Sequence, residues 1–366
     1  MQPNDKMRVL VFPDNGAKVN NPYCELLCHN MESLGASTDG FTPLRAIFGR
    51  YNIFHLHWPE YYLVQSAPKA VIGTLGLLLS IMWSRLRGTR IVWTAHNLHS
   101  HRLRYPKAEG WFWRALIPMV DGFIGLSEFS IAQARAAFPA LRSIPAFVIP
   151  HGHYRGSYPN TTDRIASCQK LGIPTDKQVA LYFGSIIPYK NVPLLIDTFL
   201  RVDLPDAVLL VAGSPSSAQE ALQLKEQARN DSRIQLHLRR IPDDEVQTFF
   251  AATDLVVLPF REIMNSGSAV LALSFDRPVL VPAIGSMPEL QMRVGDDWVR
   301  TYAGELNAPE LSAAIAWAHD SRRPAKPNLS DFDWNSIARD TLTAFKQLTE
   351  RVSATACASA AGTDVR

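Results

Sequence analysis

Cysteine is scarce in this chain: four residues in 366, at Cys24, Cys28, Cys168 and Cys357. They lack the paired spacing of a zinc site, and a chain of this length does not read as a disulfide framework, so a reducing compartment is expected. Strong charge of either sign is also missing. Lys plus Arg is 37 and Asp plus Glu is 34, a net +3, too mild to imply nucleic acid as a partner. Neither the G-x-G-x-x-G fingerprint nor the phosphate-loop motif occurs, which lowers nicotinamide enzymes and P-loop nucleotidases as candidates. The start, Met1–Leu10, has no basic n-region and no long apolar h-region, so no signal peptide is expected. The longest apolar stretch, Ala70–Trp83, is about 14 residues, short of the roughly 20 that a membrane span needs. A buried helix is the expectation there. A helix dipping into a membrane surface is the alternative, because Arg85, Arg87 and Arg90 follow directly.

Hydrophobic residues are plentiful at 47%. Disorder, collagen-like repeats and coiled coil are excluded by this balance, and the length suggests two domains. Short apolar runs alternate with helical patterns. Front-half strands are expected at Arg8–Phe12, Ile53–His57, Arg90–Thr94, Gly122–Leu126 and Ala146–Ile149. Back-half strands are expected at Gln178–Phe183, Ala207–Ala212, Arg233–Leu238, Asp254–Leu258 and Pro278–Val281. Two βαβα series in succession predict an α/β protein of two doubly wound, parallel-sheet domains facing a central cleft, joined within His151–Thr175. The expected bounds are 1–160 and 161–333. An amphipathic helix with Trp334, Ile337, Leu342, Phe345 and Leu348 as its apolar positions follows, crossing back to the first domain over 334–350. An unstructured tail is expected at 351–366.

Charge is unevenly spread. Residues 1–160 hold 16 Lys/Arg against 9 Asp/Glu, and eight of the ten histidines. A basic, histidine-rich front half suggests an anionic partner, such as a phospholipid surface or a lipid diphosphate.

Ligands of doubly wound sheets bind at the C-terminal strand ends, so those ends carry the functional candidates. Gly184 follows the first back-half strand, and Lys190 lies six residues on at a helix start, suited to neutralising a diphosphate. Gly213 marks the next strand end. The stretch Arg261-Glu262-Ile263-Met264-Asn265-Ser266-Gly267-Ser268 opens a helix whose N–H groups and hydroxyls form an anion site. Glu289, after Gly285-Ser286-Met287-Pro288, suits a hydroxyl-rich ligand or complements its own helix dipole. In the front half, three strand ends are rich in histidine: His55 and His57 with Trp58 and Glu60; His96, His99 and His101; and His151 with His153 and Tyr154. Zinc is an alternative for the close pairs, but only one histidine of each pair is expected to face a common point, so no metal is expected. A hydrogen-bonding site for sugar hydroxyls and phosphates, with Trp58 as an aromatic platform, is the preferred reading. The single D-x-D, Asp331-Phe332-Asp333, precedes a helix, which makes Asp333 its N-cap rather than a cation ligand.

With these motifs in place the chain resembles GT-B glycosyltransferases over about residues 7–350. The back-half order Gly184…Lys190, Gly213, Asp254-Leu255-Val256-Val257-Leu258-Pro259, Arg277-Pro278-Val279 and Gly285-Ser286-Met287-Pro288-Glu289 is similar to the family 4-like group. The closest resemblance is to bacterial GDP-mannose:glycolipid 4-β-D-mannosyltransferases of xanthan- and acetan-type exopolysaccharide synthesis. It is carried by His55-Leu56-His57-Trp58-Pro59-Glu60, His96-Asn97-Leu98 with His101, His151-Gly152-His153-Tyr154-Arg155, Pro188-Tyr189-Lys190 and Asn265-Ser266-Gly267 with Leu271-Ala272-Leu273-Ser274. The chain departs from the broad family pattern at Ser185, where an arginine is usual, and at Leu271, which stands opposite the second of two glutamates.

The resemblance implies transfer of mannose from GDP-mannose, a nucleotide sugar, to a polyprenyl-diphosphate-linked oligosaccharide with inversion and no cofactor or metal. It places the enzyme in the cytoplasm, peripherally on the inner face of the cytoplasmic membrane. Donor contacts are then expected from Gly184, Lys190, Gly213, Arg261, Ser266, Gly267 and Glu289. Acceptor contacts are expected from His57, Trp58, His101, His151, His153 and Tyr154. His96 matches the family histidine beside the transferred sugar. Inversion needs a base: Glu60 is the first candidate, with Asp14 and Glu128 as alternatives. Competing readings are a retaining hexosyltransferase using a UDP- or GDP-sugar, a two-domain sugar-binding protein and a sugar-nucleotide epimerase.

Overall fold

The computed structural model describes residues 6–13, 22–98, 104–319 and 323–361. The chain divides into two units: 1–152 with 331–366, and 153–330. The change of unit at Gly152/His153 falls eight residues before the expected bound of 160.

The first unit runs β1 (Arg8–Phe12), α1 (Tyr23–Ser33), β2 (Ser37–Gly40), α2 (Pro43–Phe48), β3 (Ile53–Leu56) and a 3-10 segment Pro59–Val64. It continues through α3 (Ala67–Leu86), β4 (Arg90–Ala95), α4 (Pro106–Leu116), β5 (Gly122–Gly125), α5 (Glu128–Ala137) and β6 (Ala146–Val148). Its six strands are parallel in the order β2-β1-β3-β4-β5-β6.

The second unit runs α6 (Arg164–Leu171), β7 (Gln178–Phe183), α7 (Val192–Leu200), β8 (Ala207–Ala212), α8 (Ala218–Ala228), β9 (Ile234–His237) and α9 (Val246–Ala251). Then come β10 (Leu255–Val257), α10 (Gly267–Ser274), β11 (Val279–Pro282), α11 (Met287–Val294), β12 (Val299–Tyr302) and α12 (Ala308–Ala318). These six strands are also parallel, in the order β12-β11-β10-β7-β8-β9. The central strands are continuous apolar runs, as a sheet covered on both faces requires: every residue of β8 (AVLLVA) is buried.

Edge strands carry little hydrophobic signal, and two of them escape the sequence reading. β2 is Ser-Thr-Asp-Gly and is held by backbone pairing to β1. β12 closes the opposite edge of the second sheet against β11.

The last helix, α13 (Trp334–Ala361), packs on α1 and returns apolar side chains to the first unit. Asp333 caps it, accepting from the Asn335 and Ser336 amides at 3.0 and 3.1 Å. Trp334, Ile337, Leu342, Phe345 and Leu348 are buried there with Val9, Val11, Tyr23, Ile53 and Ile124. The helix runs on to Ala361, past residue 351 where an unstructured tail is expected. The segment Ser353–Ala361 is rich in alanine, the strongest helix former.

α3 contains the apolar stretch Ala70–Trp83 within a helix of 20 residues, long and apolar enough by composition to cross a membrane. Its inner face is buried at Ala70, Thr74, Leu77, Leu78, Ile81 and Ser84. Its outer face is apolar and exposed, so it is not the fully buried helix expected.

Two glycines are spaces for α13. A Cβ on Gly122 would lie 2.5 Å from Leu348, and one on Gly152 would lie 2.2 Å from the Trp334 indole. We expect Gly152→Ala to displace Trp334 and to destabilise the first unit by about 1–3 kcal/mol. Chemical denaturation followed by tryptophan fluorescence checks this, and an unchanged midpoint would contradict it.

Candidate active site

In each sheet the direction of winding reverses once: between β1 and β3 in the first, and between β7 and β10 in the second. The loops after those strands diverge to opposite faces and leave a crevice for a ligand.

At the second unit's crevice, Gly184 ends β7 with φ 133 and Gly213 ends β8 with φ 157. The two backbones cross so closely that a Cβ on Gly213 would lie 1.8 Å from the Gly184 carbonyl oxygen. The Ile186 amide donates to the Ser214 carbonyl at 2.8 Å, which locks the two loops together. A short 3-10 turn, Pro188–Lys190, and the left-handed Asn191 (φ 57) then direct the chain into α7. Across the crevice, Ser266 caps α10 by accepting from the Ala269 amide at 3.1 Å, leaving the Gly267 and Ser268 amides at the helix start. Lys190 Nζ reaches Ser268 Oγ at 3.4 Å. A Cβ on Gly184 would lie 3.1 Å from that Nζ and 3.3 Å from that Oγ, so the three residues meet at one point. Burial lowers the Lys190 pKa to about 8.

The Arg261 amide donates to the Tyr189 carbonyl at 2.8 Å, which joins the β10 loop to the β7 loop; the Arg261 side chain is exposed. Gly285 (φ 60) lets the β11 loop close on the same segment, since a Cβ there would lie 1.9 Å from the Ile263 carbonyl oxygen. Glu289 stands in the first turn of α11. Gly184, Lys190, Gly213, Arg261, Ser266, Gly267 and Glu289 thus all lie at the C-terminal edge of one sheet. The arrangement is chemically suited to an anion: one lysine, a capped helix N-terminus and glycines that let backbone approach a ligand. Ser268 is the partner that the sequence reading names only as part of the helix start.

The first unit's crevice is aromatic. His57 Nδ1 and His96 Nε2 are 3.1 Å apart and share a hydrogen bond. Trp58 stacks on the His96 ring at 4.3 Å. Tyr23, which the sequence reading did not single out, is the hub: its ring lies 4.7 Å from His96, 4.9 Å from His151, 5.5 Å from His57 and 5.2 Å from Trp334. His55 Nε2 bonds Thr94 Oγ1 at 2.7 Å. The His55 and His57 rings are 4.1 Å apart. This overturns the expectation that only one of that pair faces a common point, because residues two apart on a strand share a face. Among the described residues no group of three or more His, Cys, Asp or Glu is placed to hold a metal.

Burial holds all four histidines neutral. It lowers His55 to about 3 and His151 to about 4, and depresses His57 and His96 well below the usual range, with neighbouring histidines adding to the effect. Neutral imidazoles and a tryptophan face suit hydroxyls and sugar rings rather than a second cation.

His101 and Asp14 lie outside the described residues. His153 and Tyr154 belong to the second unit rather than to the first with His57, His96 and His151: the chain changes unit directly after His151-Gly152. The Tyr154 amide donates to Ser274 Oγ at 2.8 Å, at the end of α10 opposite its capped start. Glu128 heads α5. Glu60 lies in the first turn of the segment Pro59–Val64 and is buried. Burial raises its pKa to about 8, and the nearby Glu109 on α4 adds to the rise.

Two parallel doubly wound units with a last helix returned to the first define the GT-B fold. The solved sucrose-phosphate synthase of Thermosynechococcus elongatus shares the fold, with a TM-score of 0.68 at 16% identity over 95% of this chain and 100% of that one. So does Anabaena Alr3699/HepE in complex with UDP-glucose, with a TM-score of 0.62 at 17% identity over 95% and 100%. The chain belongs to the glycosyltransferase family described as Glycosyl transferases group 1, which matches residues 163–320. It is 33% identical to the GDP-mannose:glycolipid 4-beta-D-mannosyltransferase of Xanthomonas campestris pv. campestris over 82% of this chain and 80% of that protein.

The buried histidines set a pH dependence. Their folded pKa values lie below the unfolded value near 6.5, so the unfolded chain binds more protons and stability falls as pH drops below about 6.5. The loss reaches about 1.4 kcal/mol per pH unit for each histidine. Glu60 acts in the opposite sense: its raised pKa removes stability as pH rises from about 4.5 to 8. Urea unfolding of the wild type and Glu60→Gln between pH 5 and 9 checks both signs; the Gln variant should lose only the alkaline decline.

Proposed function

We propose that this enzyme transfers mannose from GDP-mannose to a hydroxyl of a polyprenyl-diphosphate-linked oligosaccharide, with inversion and without a metal, in exopolysaccharide repeat-unit assembly at the inner face of the cytoplasmic membrane. The observation that carries the reading is the meeting of Lys190, Ser268 and the α10 N-terminus at the β7/β10 crevice, joined to the 33% likeness to a GDP-mannose-dependent enzyme. The second unit holds the donor. The acceptor oxygen bonds to the mannose anomeric carbon as the bond from that carbon to the GDP oxygen breaks. Lys190, Arg261 and the α10 amides take up the charge that develops on the leaving diphosphate. The first unit holds the acceptor, with Trp58 as a platform for a sugar face and His57, His96 and His151 as hydrogen-bonding groups. Glu60 receives the hydroxyl proton, and a carboxyl with a pKa near 8 is matched to that work at neutral pH.

The donor is tested by thermal stabilisation with GDP, UDP, ADP, CMP and NAD. GDP at a hundred times its Kd should add about 2.7 kcal/mol, and Lys190→Ala should abolish the effect. Stabilisation by UDP alone would replace the donor and leave a UDP-sugar hexosyltransferase; no shift with any nucleotide would overturn the donor site.

The catalytic roles predict a bell-shaped profile of kcat/KM. It rises as Glu60 loses its proton and falls as Lys190 loses its own, both near pH 8. Glu60→Gln should lower kcat by about 10²–10⁴ while GDP binding persists. Near-normal turnover would remove Glu60 from the role. The anomer of the product, read by NMR, separates inversion from retention.

A further inference from the structure

The first unit exposes an apolar face that neither crevice uses. Along α3 the outward positions Ile72, Leu75, Leu79, Met82 and Leu86 follow one helical stripe, with Ile72 73%, Leu79 60% and Leu86 76% exposed. On α2, Leu44 and Phe48 extend the face; Phe48 is 76% exposed. The two helices are fastened together: Trp83 Nε1 donates to the Ile47 carbonyl at 3.1 Å, and the Arg87 guanidinium donates to the same oxygen. On α4, which packs beside α3, Trp111 is half exposed. A surface of this kind marks an interaction site in a soluble domain.

Charge identifies the occupant. Residues 41–120 contain ten Lys/Arg and two acids, Glu60 and Glu109, and both acids are buried. Cations flank the stripe at either end: Lys69 in the first turn of α3 and Arg85 and Arg87 at its last turn; Arg45 lies between Leu44 and Phe48 on α2 and Arg50 just beyond it, all exposed. Asp121 engages Arg85 and Arg90 at 3.4 Å, while Arg45 and Arg87 donate to the Gly40 and Ile47 carbonyls and keep their charge uncompensated by those neutral partners. An apolar stripe rimmed by cations complements the headgroups and acyl boundary of an anionic bilayer. Crossing the membrane is a different matter: the opposite face of α3 is committed to the core through Ala70, Leu77, Leu78 and Ile81, and a spanning helix would strip that core.

We infer that the α2–α3–α4 face docks the first unit in the plane of an anionic phospholipid surface, with α3 lying along the interface. This deepens the proposed function by naming the face that meets the membrane and rests on that reading only for its purpose.

The test is flotation of the full-length protein with vesicles that contain neither donor nor acceptor: phosphatidylcholine alone, and equimolar phosphatidylcholine and phosphatidylglycerol, at low and high salt. The wild type should float with the anionic vesicles, less at high salt and weakly with neutral ones. The double variant Ile72→Asp/Leu79→Asp should bind at least about tenfold less. Both positions are exposed, so its melting temperature and its nucleotide-induced stabilisation should match the wild type. A wild type that stays unbound, a variant that floats equally, or a wild-type dimer that the variant converts to a monomer without change in lipid binding would each overturn the inference. Vesicle binding without mannosyl transfer would instead count against the proposed function alone.

Discussion

Parallel strands impose one constraint on which everything else here depends. Each strand must be followed by a crossover that returns the chain to the same edge before the next begins, and a helix with right-handed connection fills that need. Every βα loop therefore leaves at the C-terminal edge. Where winding reverses, at β1/β3 and β7/β10, neighbouring loops part. Gly184, Lys190 and the Ser266 cap are brought together by this geometry although the chain separates Gly184 from Ser266 by β8, β9 and β10. The same rule gathers His57, His96 and His151 from the ends of β3, β4 and β6.

The two crevices are tuned in opposite ways by desolvation. In the first, burial suppresses the charge of the imidazoles, so the cluster is neutral, aromatic and rich in hydrogen-bonding nitrogen. In the second, Lys190 keeps a cation beside a helix start, its pKa lowered but still above neutrality. A neutral aromatic surface suits hydroxyls and sugar faces, while a cation with helix amides suits a diphosphate. One physical cause, removal of water, thus yields two complementary chemistries in one chain.

The α13 helix and the α3 helix show how a core can be closed on one side and left apolar on the other. Trp334, Phe345 and Leu348 seal the first unit; Leu348 occupies the space beside Gly122 and Trp334 that beside Gly152. α3 seals with its inner positions only, and its outer stripe carries no polar compensation. The outer face of α3 departs from the polar exterior a surface helix usually carries, which is where functional surfaces are expected to break the pattern.

The sequence by itself determined the alternation of strands and helices, the glycine-marked strand ends and the Asp333 cap, because each is a local property: a period, a left-handed backbone, a side chain bonding amides two and three residues on. The runs of β7 and β8 were legible for the same reason, while polar β2 was not, since an edge strand is held by backbone pairing that leaves no hydrophobic pattern. Only the tertiary structure decided that Tyr23 is the hub of five rings, that His57 pairs with His96, that Ser268 meets Lys190, that Glu60 lies near Glu109, and that Tyr154 goes with the second unit. Each of these joins residues far apart in the chain or depends on where the chain changes unit. Contact and desolvation follow from position in space, which no window of neighbouring residues encodes.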